Sequence, residues 1–541
     1  MVNKNSKKRI KQVKIILITL LILLIARLVV IINDTKIISA SASNYNESEI
    51  IRNENYKLLD VNYEEIIDCE TKFMLVIDKD TFLLNNAVQN ADEILTFYYI
   101  MEDDKFGFSF YDINKASGKI KYEISKSAYE QMLGIVENLK GVYMYKYNEV
   151  GEIATWSIEN ILKSTQAFSN NKDKSKNSLE VFIGESTKNN TTDMVTFEKS
   201  EDGTYNEKKS KNKNINININ IQLTLDKKLQ KITREILSKE EFVNFPNAGA
   251  VIIESDTGKI LSMAQKDETQ PNLITGGGQI SGYEPGSIFK ILTLEAAMDY
   301  LNIDLNDKQV CKGEKCNKSH GELTILEAFK VSCNEVFAKL GAEIGAEKLI
   351  NFAKNQGLFQ NLLGLDVESG MEIIGTYNEN GNVEDLSIGQ SMQVNLLQMT
   401  SIISTIINDG QYVKPYILDK FVDDDNNTLE SFGEEKIKVI SKDISDNVKY
   451  AMNQTVLSGT ANISNIEGIE VGAKTGTAEG SDGDSIYGWF VGYCNINNKY
   501  YSIGVFVPNI EKIGGENTGG STAGVIFRDI VMELKEYYNK N

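Results

Sequence analysis

A single histidine, His320, is all that 541 residues contain, alongside five cysteines and five prolines. That scarcity excludes a multi-histidine metal centre, and a Ser-His-Asp triad would have to use His320 or not exist. A basic excess is missing too: 57 Lys and Arg against 76 Asp and Glu give a net charge of −19. A nucleic-acid binder needs a cationic face to displace phosphate counterions, so that class is set aside. Composition is otherwise ordinary, 41% hydrophobic and 25% charged, which fits neither wholesale disorder nor a multi-span membrane protein. At roughly 100–200 residues per domain, the length allows about three or four units.

Charge is unevenly placed. Residues 1–33 carry Lys4, Lys7, Lys8, Arg9, Lys11, Lys14 and Arg27 and no acid, which leaves 50 cations and 76 anions for the remainder. Ile15 to Ala26 is uncharged, and continued through Arg27 to Ile32 the segment reaches 18 residues, the lower edge for a bilayer-spanning helix. A basic flank before it and an acidic chain after it place the N-terminus in the cytoplasm and everything from about Asp34 outside. Arg27 can snorkel to the interface. A cleaved signal peptide competes, because Ala40-Ser41-Ala42 has the small-x-small form, but Asp34 and Lys36 separate it from the apolar run. The layout this predicts is a cytoplasmic tail at 1–14, a transmembrane anchor at 15–33, an N-terminal domain ending in a polar linker at 34–213, and a larger domain at 214–541.

All five prolines fall after residue 245, so the two halves differ. In the first, Lys72 to Asp78 reads as a buried strand, Leu95 to Ile113 as a hairpin turning near Glu102-Asp103-Asp104-Lys105, and Ser125–Leu139 and Thr155–Leu162 as helices. Ser169 to Asn214, rich in Asn, Lys, Ser and Asp, predicts a flexible or loosely folded connector. The alternation from Asn214 to Ile221 fits one strand with an apolar face, or a compositional accident. Further on, Lys227–Leu237 is helical, and Ala248–Glu254 and Lys259–Ala264 form strand, turn, strand. Helical periodicity dominates from Ser287 to about Val422. Three antiparallel strands (Ile469–Ala478, Ile486–Cys494, Tyr500–Val507) and a last helix (Val525–Tyr537) follow. Helices inserted between the first and last strands of one antiparallel sheet predict an α/β (α+β) domain.

Without a histidine base, a serine nucleophile needs a lysine. Ser-x-x-Lys occurs at Ser169, Ser210 and Ser287, and only the last has an apolar helix behind it, with Ile291, Leu294, Met298 and Leu301 at 3–4 spacing. Pro285-Gly286 breaks the chain just before, which sets Ser287 at a helix N-terminus where developing negative charge is favoured. Lys290, three residues on, shares its face and can reach the Ser287 oxygen; it serves as a base once burial or a second cation leaves it partly neutral. The bland alternative is a capped helix with an incidental lysine. Ser332-Cys333-Asn334 lies between helical segments, and Lys474-Thr475-Gly476-Thr477 lies on a predicted strand and holds the only Lys-Thr-Gly in the chain.

In this order and context the three elements resemble those of penicillin-recognising serine transpeptidases. Asp267 to Asn272, Gly282-Tyr-Glu-Pro-Gly-Ser287, His320-Gly321, Gly389-Gln390, Gly488-Trp-Phe-Val-Gly492 and Gly519-Gly520 look like landmarks of class B penicillin-binding proteins. The resemblance covers 216–541 closely and 47–165 more loosely, as the family's N-terminal pedestal; Ala523-Gly-Val525 departs from it in lacking a proline. It implies that Ser287 is acylated with Lys290 as general base, and that Ser332 and Asn334 pass protons and hold the substrate backbone. Lys474, Thr475 and Thr477 would bind a terminal carboxylate, Gly476 would let the backbone approach, and the N–H groups of Ser287 and Thr477 would form the oxyanion hole. The implied substrates are peptidoglycan stem peptides ending in D-Ala-D-Ala, with β-lactams acylating the same serine. A separate SEDS-type glycosyltransferase is the implied partner, the chain having no polymerase segment of its own in this reading. A β-lactamase or β-lactam sensor of the same fold, and a non-catalytic scaffold for a cell-wall polymerase, are the rival readings.

Three of the five cysteines and the one histidine fall together, as Cys311-x4-Cys316-x3-His320-x12-Cys333. These spacings could supply a Cys3His zinc site beside Ser332 and Asn334, and some class B members are similar in carrying zinc between their first two motifs. A Cys311–Cys316 disulfide or three inert thiols are the alternatives. Cys69 and Cys494 read as buried core thiols.

Overall fold

Apolar runs near the C-terminus join two earlier strands in one antiparallel sheet in the computed structural model, which describes residues 4–33, 46–86, 91–105, 107–166, 173–208, 217–276, 282–368, 383–480 and 482–540. The strands are β1 (Gly249–Glu254), β2 (Ile260–Gln265), β3 (Glu470–Glu479), β4 (Ile486–Ile496) and β5 (Lys499–Val507), in the spatial order β2-β1-β5-β4-β3. Side chains alternate across it: Val251, Ile253, Trp489 and Val491 enter one core, Ile252, Phe490 and Ile503 the other. Helices α1 (Lys227–Leu237) and α6 (Ala523–Lys540) complete the second core. The first core surrounds α2 (Lys290–Leu301), in which every residue from Lys290 to Met298 is buried. The expected apolar stripe therefore understates this helix, which is enclosed on all sides and so lies inside the layer. Helices α3 (Ile325–Lys330), α4 (Asn334–Ile344) and α5 (Lys442–Ser458) complete that layer, with α4 and α5 against α2. The α/β architecture expected from the strand and helix order is present.

Two units divide the chain, and they interleave along it. One comprises Met1–Asn55, Cys69–Gly151 and Thr191–Asn216; the other comprises Tyr56–Asp68, Glu152–Asn190 and Ile217–Asn541. One break is expected from the sequence, at 213/214, whereas this division falls at 55/56, 68/69, 151/152, 190/191 and 216/217. Leu58–Leu59 pairs in parallel with Asn220–Leu223, drawing the 56–68 piece into the second unit. Arg234 bonds Glu159 at 2.8 Å, and Asp366 N–H donates to the buried Glu180 carboxylate at 3.2 Å, which fixes the 152–190 piece there. In the first unit, strands Lys119–Ile124, Cys69–Asp78 and Val142–Val150 form a sheet in that order, packed by Phe97, Met101 and Met132.

Several local expectations are corrected. Leu95 to Ile113 is no hairpin: helices Ala91–Asp104 and Phe110–Lys115 occupy it. Phe97 and Met101 are buried while Leu95 and Tyr99 are exposed, a stripe of period near 3.6 that the aromatic-rich composition disguised. The connector is folded where it is described, with helix Leu179–Thr187 and strands Met194–Lys199 and Tyr205–Lys208. Its polar residues act as caps and partners, Ser178 accepting from Val181 N–H among them. The alternating segment yields strand Asn220–Leu223, buried on both faces rather than one; 214–216 lie outside the described residues, as do Ser169, Ser210 and Ala40-Ser41-Ala42. Cys494 is buried but Cys69, at a strand start, is only half-buried. Lys4–Asn33 forms one 30-residue helix, and among the described residues no helix is long and apolar enough to cross a membrane.

One buried group is left incompletely bonded. Glu295 on α2 accepts from Gln356 Nε2 at 2.6 Å through Oε2, while Oε1 has no partner, and burial pushes its pKa up to about 8. Between its ordinary 4.5 and about 8, the folded chain keeps a proton that the unfolded chain has released. Stability therefore falls as pH rises through that window, by up to about 1.4 kcal/mol per unit from this group. Glu295→Gln is expected to remove this slope: in urea unfolding of the full chain, wild type should lose several kcal/mol more than the variant between pH 5 and pH 8. Equal losses in the two proteins would refute the assignment.

Candidate active site

Ser287 occupies a 3-10 turn, Gly286–Phe289, that runs directly into α2, so it precedes the α-helix rather than opening it. Three contacts hold that turn. Tyr283 and Val394 exchange backbone bonds at 2.9 Å, Gly286 N–H donates to Gly389 O at 2.9 Å, and the buried Trp489 indole donates to Glu284 O at 2.9 Å. A Cβ on Gly389 would lie 2.0 Å from Gly286 O, so the two backbones meet only because no side chain intervenes. The landmarks at Gly282–Ser287, Gly389 and Gly488-Trp489 are therefore parts of one cradle. Ser287 itself is half-buried.

Lys290 and Lys474 have no exposed surface. Lys290 Nζ donates to Ser332 O at 2.7 Å, Asn334 Oδ1 at 2.6 Å and Ser332 Oγ at 3.2 Å. The direct bond expected between Lys290 and the Ser287 oxygen is absent among the described residues. Lys474 Nζ reaches the same Ser332 Oγ at 3.0 Å and also Thr475 O at 3.0 Å. Ser332 presents its hydroxyl to both from a left-handed backbone, φ +57°. Burial lowers Lys290 to about 7 and, with the Lys290 charge beside it, holds Lys474 well below its ordinary value. Phe337 and Phe329 face the two ammonium groups at 5.8 and 5.7 Å.

Strand β3 is an edge of the sheet, so its outer backbone groups are open to an extended ligand. On it Thr475 is buried and Thr477 exposed. Thr477 Oγ1 accepts from Gly519 N–H at 3.0 Å, and Cβ atoms built on Gly286 and Gly476 would sit 2.9 Å from Thr477 O and 2.8 Å from Pro285 O. The turn carrying Ser287 thus lies against Thr477. Lys474 directs its ammonium at Ser332, while the Thr477 side chain is exposed on the same strand.

The cysteine cluster is assembled. Strand Lys308–Cys311 pairs with Gly321–Thr324, and Cys333 caps α4. Ligand atoms of Cys311, Cys316, His320 and Cys333 lie within 4.8 Å of one another; Cys316 Sγ is 3.7 Å from Cys333 Sγ, and Cys311 Sγ 3.3 Å from His320 Nδ1. All three thiols are free, so the Cys311–Cys316 disulfide is not formed. A tetrahedral ion with about 2.3 Å metal–sulfur bonds needs sulfur atoms about 3.8 Å apart, so the donor set and spacing suit a metal. Glu335, the residue after Asn334, accepts from the N–H groups of Lys312, Gly313 and Glu314 at 3.0, 2.8 and 3.0 Å and fastens the intervening loop to α4. Neither Glu335 nor the two phenylalanines had stood out in the sequence. Phe329 and Phe337 lie within five residues of Ser332 and could have been marked as its apolar surround; an isolated Glu carries no such sign.

Residues 248–532 match the family described as the penicillin binding protein transpeptidase domain. Stage V sporulation protein D of Bacillus subtilis is 31% identical over 354 residues, 59% of this chain and 54% of that protein. PbpB of Mycobacterium tuberculosis is 26% identical over 357 residues, 59% of this chain and 52% of that protein. The chain spans about half the length of these curated relatives. Penicillin binding protein 3 of M. tuberculosis, solved with aztreonam, shares the fold at 17% identity and a TM-score of 0.61, covering 91% of this chain and 97% of that one.

If Lys290 takes the Ser287 proton it must be neutral to do so, and a pH dependence follows. The rate of Ser287 acylation by a penicillin is expected to rise with pH through about 7, the value to which burial lowers Lys290, and to level off above it. Stopped-flow or quench-flow acylation between pH 5 and 9 checks this, and a flat profile across that range would contradict the assignment of the base.

Proposed function

The chain belongs to the penicillin binding protein transpeptidase family, and on that premise we propose that it is a class B peptidoglycan D,D-transpeptidase acting outside the cytoplasmic membrane. The observation that carries this reading is the Lys290–Ser332–Lys474 constellation, buried beside the Ser287 turn at an open sheet edge. A donor stem peptide ending in D-Ala-D-Ala lies along β3, its carboxylate at the level of Thr475 and Thr477 with Lys474 behind them. Ser287 Oγ attacks the carbonyl carbon of the penultimate D-Ala and its proton passes to neutral Lys290. The N–H groups of Ser287 and Thr477 stabilise the oxyanion. When the C–N bond breaks, the proton travels from Lys290 by way of Ser332 to the leaving nitrogen, and D-Ala departs as a neutral amine. An amine of a second stem peptide then attacks the ester, gives its proton to Lys290, and Ser287 leaves and recovers that proton. A cross-link results.

The helix Lys4–Asn33, with its seven cations in residues 1–33, supports a single-pass anchor with the N-terminus inside. Eighteen residues from Ile15 to Ile32 rise about 27 Å against about 30 Å of hydrocarbon, a gap the snorkelling Arg27 narrows. In this arrangement Cys69–Gly151 and its neighbours serve as the pedestal, and a SEDS-type glycosyltransferase is the partner that the family resemblance suggests.

Zinc is the metal that the Cys3His donor set of Cys311, Cys316, His320 and Cys333 suits. When bound, it would act as a structural cross-link between the hairpin and the start of α4, with no part in the proton transfers. Metal analysis of the purified chain is expected to find about one zinc per chain, and the Cys316→Ser variant much less. A folded wild type free of metal would sink the zinc reading.

Intact-mass measurement after incubation with benzylpenicillin tests the function itself. Wild type is expected to gain the mass of one penicillin and Ser287→Ala none. Rapid turnover of a chromogenic cephalosporin, without an accumulating adduct, would instead make the chain a hydrolase.

A further inference from the structure

Helix α5 ends beside the carboxylate donors, and its last turn contributes a residue that the mechanism above does not use. Gly459 closes the helix through its N–H to Thr455 O, and Thr460 follows. Thr460 N–H donates to Lys330 O at 3.2 Å, at the end of α3 and two residues before Ser332. A Cβ on Gly459 would lie 2.8 Å from that same Lys330 O, so the chain can make this approach only with glycine there. On its other side Thr460 accepts a hydrogen bond at 2.9 Å from Thr475 Oγ1. Thr460 thus spans the two walls of the site, the Ser332 segment and β3.

The direction of that last bond has a consequence. A threonine hydroxyl has one proton and two lone pairs. Thr475, only 8% exposed, spends its proton on Thr460, whereas Thr460 is exposed and its own proton is not used by any hydrogen bond within the site. Accepting a bond from Thr475 also polarises the Thr460 O–H and makes it the stronger donor. Gly520 borders the same place, a Cβ there being 3.3 Å from Thr460 O and 3.6 Å from Thr475 Cγ2, so residue 520 adds no side chain over the pair.

We propose that Thr460 is a substrate-binding residue, its hydroxyl donating to the terminal carboxylate of the stem peptide, and to the carboxylate of β-lactams, as the outer member of a Thr475–Thr460 pair. This rests on the reading that β3 receives the carboxylate, and the test separates the two. Second-order acylation rates of the full chain are measured with a penicillin and with its methyl ester, which lacks the charged acceptor. Thr460→Val is expected to slow the free acid about tenfold or more, as loss of a hydrogen bond to a charged group does, while leaving the ester within about twofold. Thr460→Ala, which removes the same donor with less bulk, should repeat that ratio, and Thr460→Ser should restore the wild-type one. A merely structural role would slow acid and ester alike, and that outcome overturns the proposal. Thr475→Val serves as the control. If it discriminates acid from ester and the Thr460 variants do not, the carboxylate reading stands and the Thr460 assignment fails; if none discriminates, both fall.

Discussion

One hydroxyl shared by two buried lysines is the constraint on which the site depends. Lys290 and Lys474 both donate to Ser332 Oγ, at 3.2 and 3.0 Å, with no surface exposed on either. Removing an ammonium from water costs several kcal/mol even after relaxation, and two held this near each other repel as well. The pair cannot hold two protons cheaply near neutral pH, and one amine is left free to act as a base. A chain with a single histidine needs this device, because the unperturbed lysine value of 10.5 would leave almost no free base. Burial here is the catalytic provision itself rather than a by-product of folding.

Much of the second unit serves that provision. Helix α2 is enclosed on every side, which is what withdraws Lys290 from water. Phe337 and Phe329 give the two ammonium groups aromatic faces in place of solvent, a partial compensation that keeps the protonated form accessible during turnover. Ser332 reaches both lysines only from the left-handed region, a conformation costing about 1–2 kcal/mol for a non-glycine residue and stable only where its surroundings enforce it. Three ties provide those surroundings: Cys333 N–H bonds Ala328 O, Thr460 N–H bonds Lys330 O, and Glu335 ties the neighbouring loop to α4. A metal on the four ligands would add one more tie to Cys333, between the two residues that hold Lys290.

The central sheet and the chemistry-bearing residues were legible because they are written in local pattern. Strands with both faces buried leave continuous apolar runs, and Ser287, Lys290, Ser332, Asn334 and Lys474 sit in short motifs of fixed spacing. The cysteine cluster was legible for the same reason, its four members falling within 23 residues of one another. What stayed hidden depends on separations that sequence does not display. Helix Ala91–Asp104 looked like half a hairpin because its residues favour strands by propensity while their burial follows the helical period. The 152–190 segment looked like part of another domain and a linker because its charges find partners far along the chain, Glu159 at Arg234 and Glu180 at Asp366. The Lys290–Ser332 bond was legible as a motif pair, but the Lys474 bond to the same hydroxyl joins residues 142 apart, a pairing that no spacing encodes.

That placement of Lys474 alters how an anion is recognised. An exposed lysine would hold any carboxylate or phosphate, its charge screened within about 8–10 Å at physiological salt, and would offer little geometric choice. In the proposed reading a lysine sealed behind β3 contributes field without contact, and the exposed Thr477 hydroxyl and the Thr475–Thr460 pair supply the directional donors. Because that charge acts through protein rather than water, it is felt strongly at the strand and weakly in bulk. Selectivity in the proposed reading comes from the edge strand: a ligand would have to be extended enough to pair with β3 and to end in a carboxylate at the level of Thr475 and Thr477. A chain of net charge −19 gains a further benefit. On the same proposed reading the buried lysine stays closed to bulk anions while remaining within reach of Ser332.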